Sequence, residues 1–226
     1  MSEPPLDGPI ADYLDQVLPE GGETPCRVRI MQTGEMVRRP GERPLEFTAI
    51  QEYAVQSVEF EWRASFGPNR LVRLSVVDRY RDGEGSLGAR VWGLIPVVRS
   101  SGPDTDRGEA IRYLAELPWV PYAAGSNPEL SWRQLADGSV EVSTPVAGRL
   151  ASVVFSFDDA ALVRTASGIR PRLVGKTAVE TPFVGSFADY VELGGIRVPR
   201  SAEVSWTLPE GPFTYWRGEV ASLEAE

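Results

Sequence analysis

The residues with the widest chemical repertoire lie between Asp106 and Trp119, where the chain reads Asp-Arg-Gly-Glu-Ala-Ile-Arg-Tyr-Leu-Ala-Glu-Leu-Pro-Trp. The spacing predicts a helix over 106–117, stopped by Pro118. At about 100° per residue, Glu109, Arg112, Tyr113 and Glu116 share one helical face. Two carboxylates, a guanidinium and a phenol in a row offer acid–base chemistry and charge stabilisation if they line a cavity. On a solvated surface they offer only ion pairs. Glu109–Arg112 and Arg112–Glu116 have that spacing, at roughly 0.2–0.5 kcal/mol each. Asp106 and Glu109 also form a capping box, in which Asp106 accepts from first-turn amides and Glu109 reaches back.

A second carboxylate draws notice on the strand Leu71–Tyr80. Val72, Leu74 and Val76 share a face with Asp78 and Tyr80. An inward Asp78 needs a partner, because an unpaired buried carboxylate is costly. It either ties down the Asp82-Gly-Glu-Gly85 turn or meets a ligand at the mouth of the sheet. Gln51 shares a face with Phe47 and Tyr53 in the same way. Six tryptophans, Trp62 and Trp119 among them, stand with seven tyrosines and eight phenylalanines. Most belong to a core, and a few can line a pocket for a flat or greasy ligand.

These residues matter because so little else is available. The 226-residue chain has no histidine, one cysteine (Cys26) and one lysine (Lys176) against 22 arginines. Ser-His-Asp and Cys-His systems, His-ligated metals, thiolate zinc sites and internal disulfides are excluded. Cys26 reads as a small buried hydrophobe and Lys176 as an exposed strand residue. The net charge of −9 argues against nucleic acid. The arginine pairs Arg38-Arg39 and Arg170-Pro-Arg172 read as solvated faces. No metal and no cofactor is expected, since Walker, EF-hand, dinucleotide and GxSxG motifs are missing. No apolar run reaches the roughly 20 residues of a membrane span, and the first residues do not read as a signal peptide. The expectation is a cytoplasmic protein without stable membrane insertion. The oligomeric state is left open.

The elements that must position these residues are mostly strands. Residues 1–9 read as a flexible tail and 10–226 as a single β-rich domain. Ile10 to Leu18 forms a short amphipathic helix. Period-2 alternation is clearest over Val58–Phe66, with a turn at Gly67-Pro68-Asn69 and a hairpin partner over Leu71–Tyr80. A strand follows near Leu87–Leu94. After the helix, strands are expected at 130–135, 139–143, 150–157, 161–166, 172–179, 187–193, 201–208 and 213–220. The fold class is mainly β (α+β): a large curved antiparallel sheet, a half-barrel or barrel, with a central helical insertion covering its concave face.

Several spaced elements carry a resemblance. They are Phe60-x-Trp62, Asp78-x-Tyr80-x-x-Gly83-x-Gly85, Arg112-Tyr-Leu-Ala-Glu-x-Pro-Trp-x-Pro121, Thr181-Pro-Phe183-x-Gly185, Asp189-Tyr190, Gly195-Ile-x-Val-Pro199, Trp206 and Gly211-x-Phe213-x-Tyr215-Trp216. Together they resemble an uncharacterised bacterial domain family over residues 28–220. The Arg-Tyr-Leu-Ala-Glu-x-Pro-Trp block is the most specific. The strand pattern is also similar to the half-barrels of periplasmic lipoprotein carriers, which hold acyl chains in a concave sheet lidded by helices.

The expected function is binding of a hydrophobic or amphipathic small molecule between the sheet and the 106–117 helix. Arg112, Glu109, Trp119, Tyr80, Gln51 and Trp62 are the expected ligand contacts. The alternatives are an interaction module without a cavity and a cofactor-free enzyme in the same cavity. The enzyme would be a cyclase, isomerase or hydrolase, possibly of a natural-product pathway, with Glu116, Asp78 and Tyr113 as catalytic groups. A functional Glu116 should tolerate substitution by glutamine without large loss of stability.

Overall fold

The computed structural model describes residues 7–21, 23–67, 74–91, 95–175 and 177–226. The expected turn residues Pro68 and Asn69, the start of the Leu71–Tyr80 strand, Trp92 to Leu94 and Lys176 lie outside them.

A short helix, α1 (Pro9–Val17), precedes six strands: β1 (Arg27–Met36), β2 (Leu45–Ala54), β3 (Phe60–Phe66), β4 (Leu74–Arg81), β5 (Glu84–Val91) and β6 (Ile95–Ser101). Then come α2 (Pro103–Ala115), a 3-10 turn (Leu117–Trp119) and α3 (Pro121–Ser126). Seven strands complete the chain: β7 (Ser131–Gln134), β8 (Val140–Val146), β9 (Arg149–Phe157), β10 (Val163–Val174), β11 (Thr177–Leu193), β12 (Ile196–Leu208) and β13 (Gly211–Ala225).

All thirteen strands join one curled antiparallel sheet, a half-barrel, in the order β6-β5-β4-β3-β2-β1-β13-β12-β11-β10-β9-β8-β7. This order explains the helix. β1 to β6 form one meander and β7 to β13 another, and the two are sewn together by the central β1–β13 pair. Edge strands β6 and β7 lie at opposite ends, so the segment between them must cross the whole sheet. It does so along the concave face, where α2 touches β4, β5 and β6 on one side and β8, β9 and β10 on the other. Alternation then fills the inside: Val28 and Ile30 of β1, Phe47 and Tyr53 of β2, and Phe60, Trp62 and Phe66 of β3 are all buried.

Several local expectations give way. The helix begins at Pro103, whose fixed φ suits a first turn, and its N-cap is Gly102 with no side-chain cap. The capping box is therefore absent. Asp106 lies inside the helix, and its Oδ1 accepts from the Gly85 amide at 2.8 Å. Gly85 is required here, because a Cβ would stand 2.7 Å from the Thr105 carbonyl oxygen. The helix ends at Ala115 rather than 117, and Leu117 belongs to the following 3-10 turn.

The strand expected at 172–179 is two strands. Val174 pairs with Thr177 across a tight turn in which Gly175 has φ 64°. One left-handed glycine between two β-forming runs is invisible to periodicity. Cys26 is exposed rather than buried, because it precedes the first paired residue of β1.

Candidate functional site

Helix α2 is unusual in burying polar and apolar residues alike: Gly108, Glu109, Ala110, Ile111, Tyr113 and Leu114. It lies inside the curl of the sheet, so Glu109 and Arg112 face protein, while Asp104 in its first turn stays exposed. Arg112 is the hub. Its Nε donates to Glu116 Oε1 at 2.8 Å, and its Nη1 donates to Asp78 Oδ2 on β4. Its guanidinium lies over the rings of Phe60 and Trp62, 5.0 Å from each centroid. Burial opposes this charge, but the carboxylates, Glu116 first and Asp78 next, raise the guanidinium pKa above its ordinary value. Glu116 also accepts at Oε2 from Gln51 Nε2 (2.6 Å) and from the Tyr53 hydroxyl (3.0 Å). Burial first, then the Glu116 charge, raises the Tyr53 phenol.

Glu109 makes the second ion pair, with a partner that helical spacing does not reveal. It accepts from Arg170 Nη2 of β10 at 3.3 and 3.4 Å, not from Arg112. Glu109 is buried and Arg170 half-buried, so the Arg170-Pro-Arg172 stretch is not a solvated face. Arg172 lies over the Trp206 ring at 6.0 Å. Burial, and next the Asp78 charge, push the Glu109 carboxyl up to about 8, against the pull of Arg170 and Arg112.

Three carboxyls (Asp78, Glu109, Glu116) meet two guanidiniums (Arg112, Arg170) in this cluster. Keeping one proton on Glu109 makes the charges balance. The same proton answers a second need. Asp78 Oδ1 is buried and has no N–H or hydroxyl donor, while the Glu109 carboxyl is within hydrogen-bonding reach. A proton on Glu109 would supply that donor. Asp78 thus ties β4 to the lid helix rather than securing the Asp82-Gly-Glu-Gly85 turn.

The remaining expected residues are dispersed around this core. Tyr113 points away from Glu116: it donates to the Ala54 carbonyl at 2.9 Å and accepts from Asn127 Nδ2 at 3.1 Å. Burial raises its pKa. Trp119 donates to the Pro199 carbonyl at 2.9 Å and packs edge-on against Phe187, its ring centroid 5.8 Å away. Trp62 donates to Gln32 Oε1 at 3.0 Å. Tyr80 is buried, its pKa raised by burial and by the charge of Asp106. The structure therefore brings Asp78, Glu109, Arg112, Glu116 and Gln51 together beside Trp62, and leaves Tyr113, Tyr80 and Trp119 outside the ionic cluster.

Gln32, Tyr53 and Arg170 belong to the site and escaped the sequence reading. Gln32 follows Val28 and Ile30 in period-2 register, a signal of the same kind that singled out Gln51. No local pattern marks Arg170, whose partner is 61 residues away. None of the nine expected residues lines either of two surface cavities. The larger, about 1030 Å³, is walled by Thr33, Thr48, Ser186, Glu203, Arg217 and others from the sheet, with nothing from α2. The smaller, about 570 Å³, lies beside α3 and β7. Among the described residues, no group of three or more His, Cys, Asp or Glu is placed to hold a metal.

The fold has counterparts among solved structures. A DUF1329 family protein from Desulfovibrio piger is 12% identical, with a TM-score of 0.53 over 97% of this chain and 94% of that one. A Vibrio parahaemolyticus domain described as an outer membrane lipoprotein-sorting protein is 8% identical, with a TM-score of 0.50 over 88% and 85%. A LolA superfamily protein from Nitrosomonas europaea is 7% identical, with a TM-score of 0.47 over 96% and 92%. No protein of curated description matches the chain. The profile of a family of unknown function, DUF6920, matches residues 5–224, and the chain belongs to that family.

Proposed function

We propose that the protein binds a hydrophobic or amphipathic small molecule between the concave sheet and the α2 segment. The observation that carries this reading is the composition of that interface. An ionic cluster lies directly against a continuous aromatic wall. Phe47, at the centre of the wall, lies 5.6 Å from Trp62, 5.6 Å from Phe66 and 5.8 Å from Trp216 between ring centroids; Trp119 lies 6.0 Å from Trp216. A polar head would exchange for the contacts of Arg112 or Arg170, and an apolar body would lie along the rings. Phe47 and Phe66 of the wall also line the larger surface cavity, but no α2 residue does, so a ligand lying between the sheet and α2 requires the α2 segment to shift. The likeness to a lipoprotein-sorting domain supports the same reading at the level of fold.

The test is titration with a fluorescent acyl-chain probe that accepts energy from tryptophan, together with native mass spectrometry of the purified chain. Saturable binding of about one probe per chain is expected, weakened by Arg112→Met. Absence of saturable binding across acyl, isoprenoid and aromatic probes, with no co-purifying mass, would overturn the proposal.

A second reading rests on the Asp78–Glu109 pair. A neutral carboxyl beside an ionised one is the arrangement of an acid–base couple. In a cofactor-free cyclase, isomerase or hydrolase, Glu109 would donate a proton and Asp78 or Glu116 would accept one. Turnover abolished by Glu109→Gln, with ligand binding retained, would favour the enzyme. Unchanged turnover would remove it.

A further inference from the structure

Beyond the described site, exposed apolar side chains are concentrated in one place. Five of the eight exposed large hydrophobic residues among those described lie on or beside the β10–β11 hairpin: Leu150, Ile169, Leu173, Val174 and Val179, each 42–62% exposed. The outer part of the hairpin pairs with no neighbouring strand. β9 pairs with β10 only as far as Ser167, and β12 pairs with β11 only from Phe183 onward. Between them, Ile169–Val174 and Thr177–Pro182 pair solely with each other, through six residue pairs. At about 3.3 Å per residue that is an arm of roughly 20 Å. Pro171 and Pro182, one on each strand, lack the N–H that an added strand would need. The base of the arm is clasped to α2, where Arg107 bonds Glu180 at 2.8 Å and reaches the Ile169 carbonyl.

Exposed apolar side chains stand on both faces of the arm, beside Arg172 and Thr177 on one and Glu180 on the other. Ala166, Thr181 and Phe183 are buried, so alternation places Val174 and Val179 on the inner face and Ile169 and Leu173 on the outer one. A groove on a protein partner covers one face of a ribbon. An isotropic apolar medium covers both. Arg172 adds a cation with no carboxylate partner among the described residues, in a chain whose net charge is −9.

We infer that the β10–β11 arm is a docking tip for a lipid bilayer surface, dipping its apolar end below the headgroups and setting Arg172 against anionic lipid phosphates. The arm shares only Arg170, at its base, with the ligand reading and contributes no residue to the aromatic wall, so acyl-probe binding and flotation are lost separately.

Vesicle flotation of the full chain tests it, with phosphatidylcholine vesicles and with phosphatidylcholine–phosphatidylglycerol vesicles. The chain is expected to float with both, more strongly with the anionic ones. The Leu173→Asp/Val179→Asp double variant replaces only exposed side chains, so it should keep the wild-type melting temperature and acyl-probe affinity while losing flotation about tenfold or more. With Cys26→Ser in place, an environment-sensitive dye on Leu173→Cys should shift to the blue when vesicles are added. Wild-type chain that stays unbound on both vesicle types would overturn the inference, as would a double variant that floats like wild type. A wild-type dimer that the double variant dissolves would replace the bilayer with a second copy of this chain.

Discussion

Glu109→Gln isolates the proton that balances the buried cluster. In the folded protein burial and Asp78 push the carboxyl up to about 8, against an ordinary value of 4.5. A raised folded-state pKa means that the folded state holds the proton more tightly. The associated stability is complete below pH 4.5 and is lost as pH rises through about 8. Across that window a single proton gives a slope of ~1.4 kcal/mol per pH unit, and up to about 5 kcal/mol in all. Glutamine keeps an oxygen for Arg170 and turns an amide donor toward Asp78 Oδ1, without a titratable group. The two proteins should therefore be close in stability near pH 4.5, with the variant progressively more stable up to pH 8. No histidine titrates inside this window. Equilibrium denaturation from pH 4 to 9, read by tryptophan fluorescence, measures the difference. A stability difference that does not change with pH refutes the reasoning. So does a variant less stable than wild type at pH 8, which would mean that Glu109 is ionised and valued for its pairing with Arg170.

Glu116 accepts from Arg112, Gln51 and Tyr53, so Glu116→Gln leaves donors facing an amide N–H₂ and should cost about 3 kcal/mol in thermal or chemical denaturation. A cost below ~1 kcal/mol would free Glu116 for a functional role. Gly85→Ala must push the N-terminal turn of α2 off β5 and should destabilise by about 1–3 kcal/mol, with faster amide exchange at the start of the helix. Unaltered exchange there would show that the turn adapts. Trp119→Phe removes the bond to the Pro199 carbonyl but keeps the ring contacts, and should cost about 1–2 kcal/mol in urea denaturation. No measurable loss would show that the bond is dispensable.

Much of the fold was legible because its signals are local. Val58 to Phe66 alternates strictly, and β3 buries Phe60, Trp62, Ala64 and Phe66 while its intervening side chains stay accessible. The helix near 106–117 was read from its apolar spacing and Pro118. The errors were local in another sense. A favourable residue three before a glutamate reads as a cap at Asp106, but Gly85 approaches close enough to claim its carboxylate. The stretch 172–179 reads as one strand because one glycine can reverse a chain without altering its hydrophobic pattern.

The candidate site divides along the same line. Arg112–Glu116 is a four-residue helical spacing and could be read directly. Arg112–Asp78, Gln51–Glu116 and Arg170–Glu109 span 34, 65 and 61 residues, and no periodicity encodes them. The sequence by itself determined an antiparallel sheet with one crossing helix, and a chemistry restricted to carboxylates, guanidiniums and phenols by the absence of histidine. Only the tertiary structure decided that the polar face of that helix is buried and which arginine each carboxylate meets. The physical reason is that a helical wheel fixes angles within one element. The direction in which that element faces follows from two meanders joined at β1 and β13, which force the link between their outer edges across the concave side of the sheet.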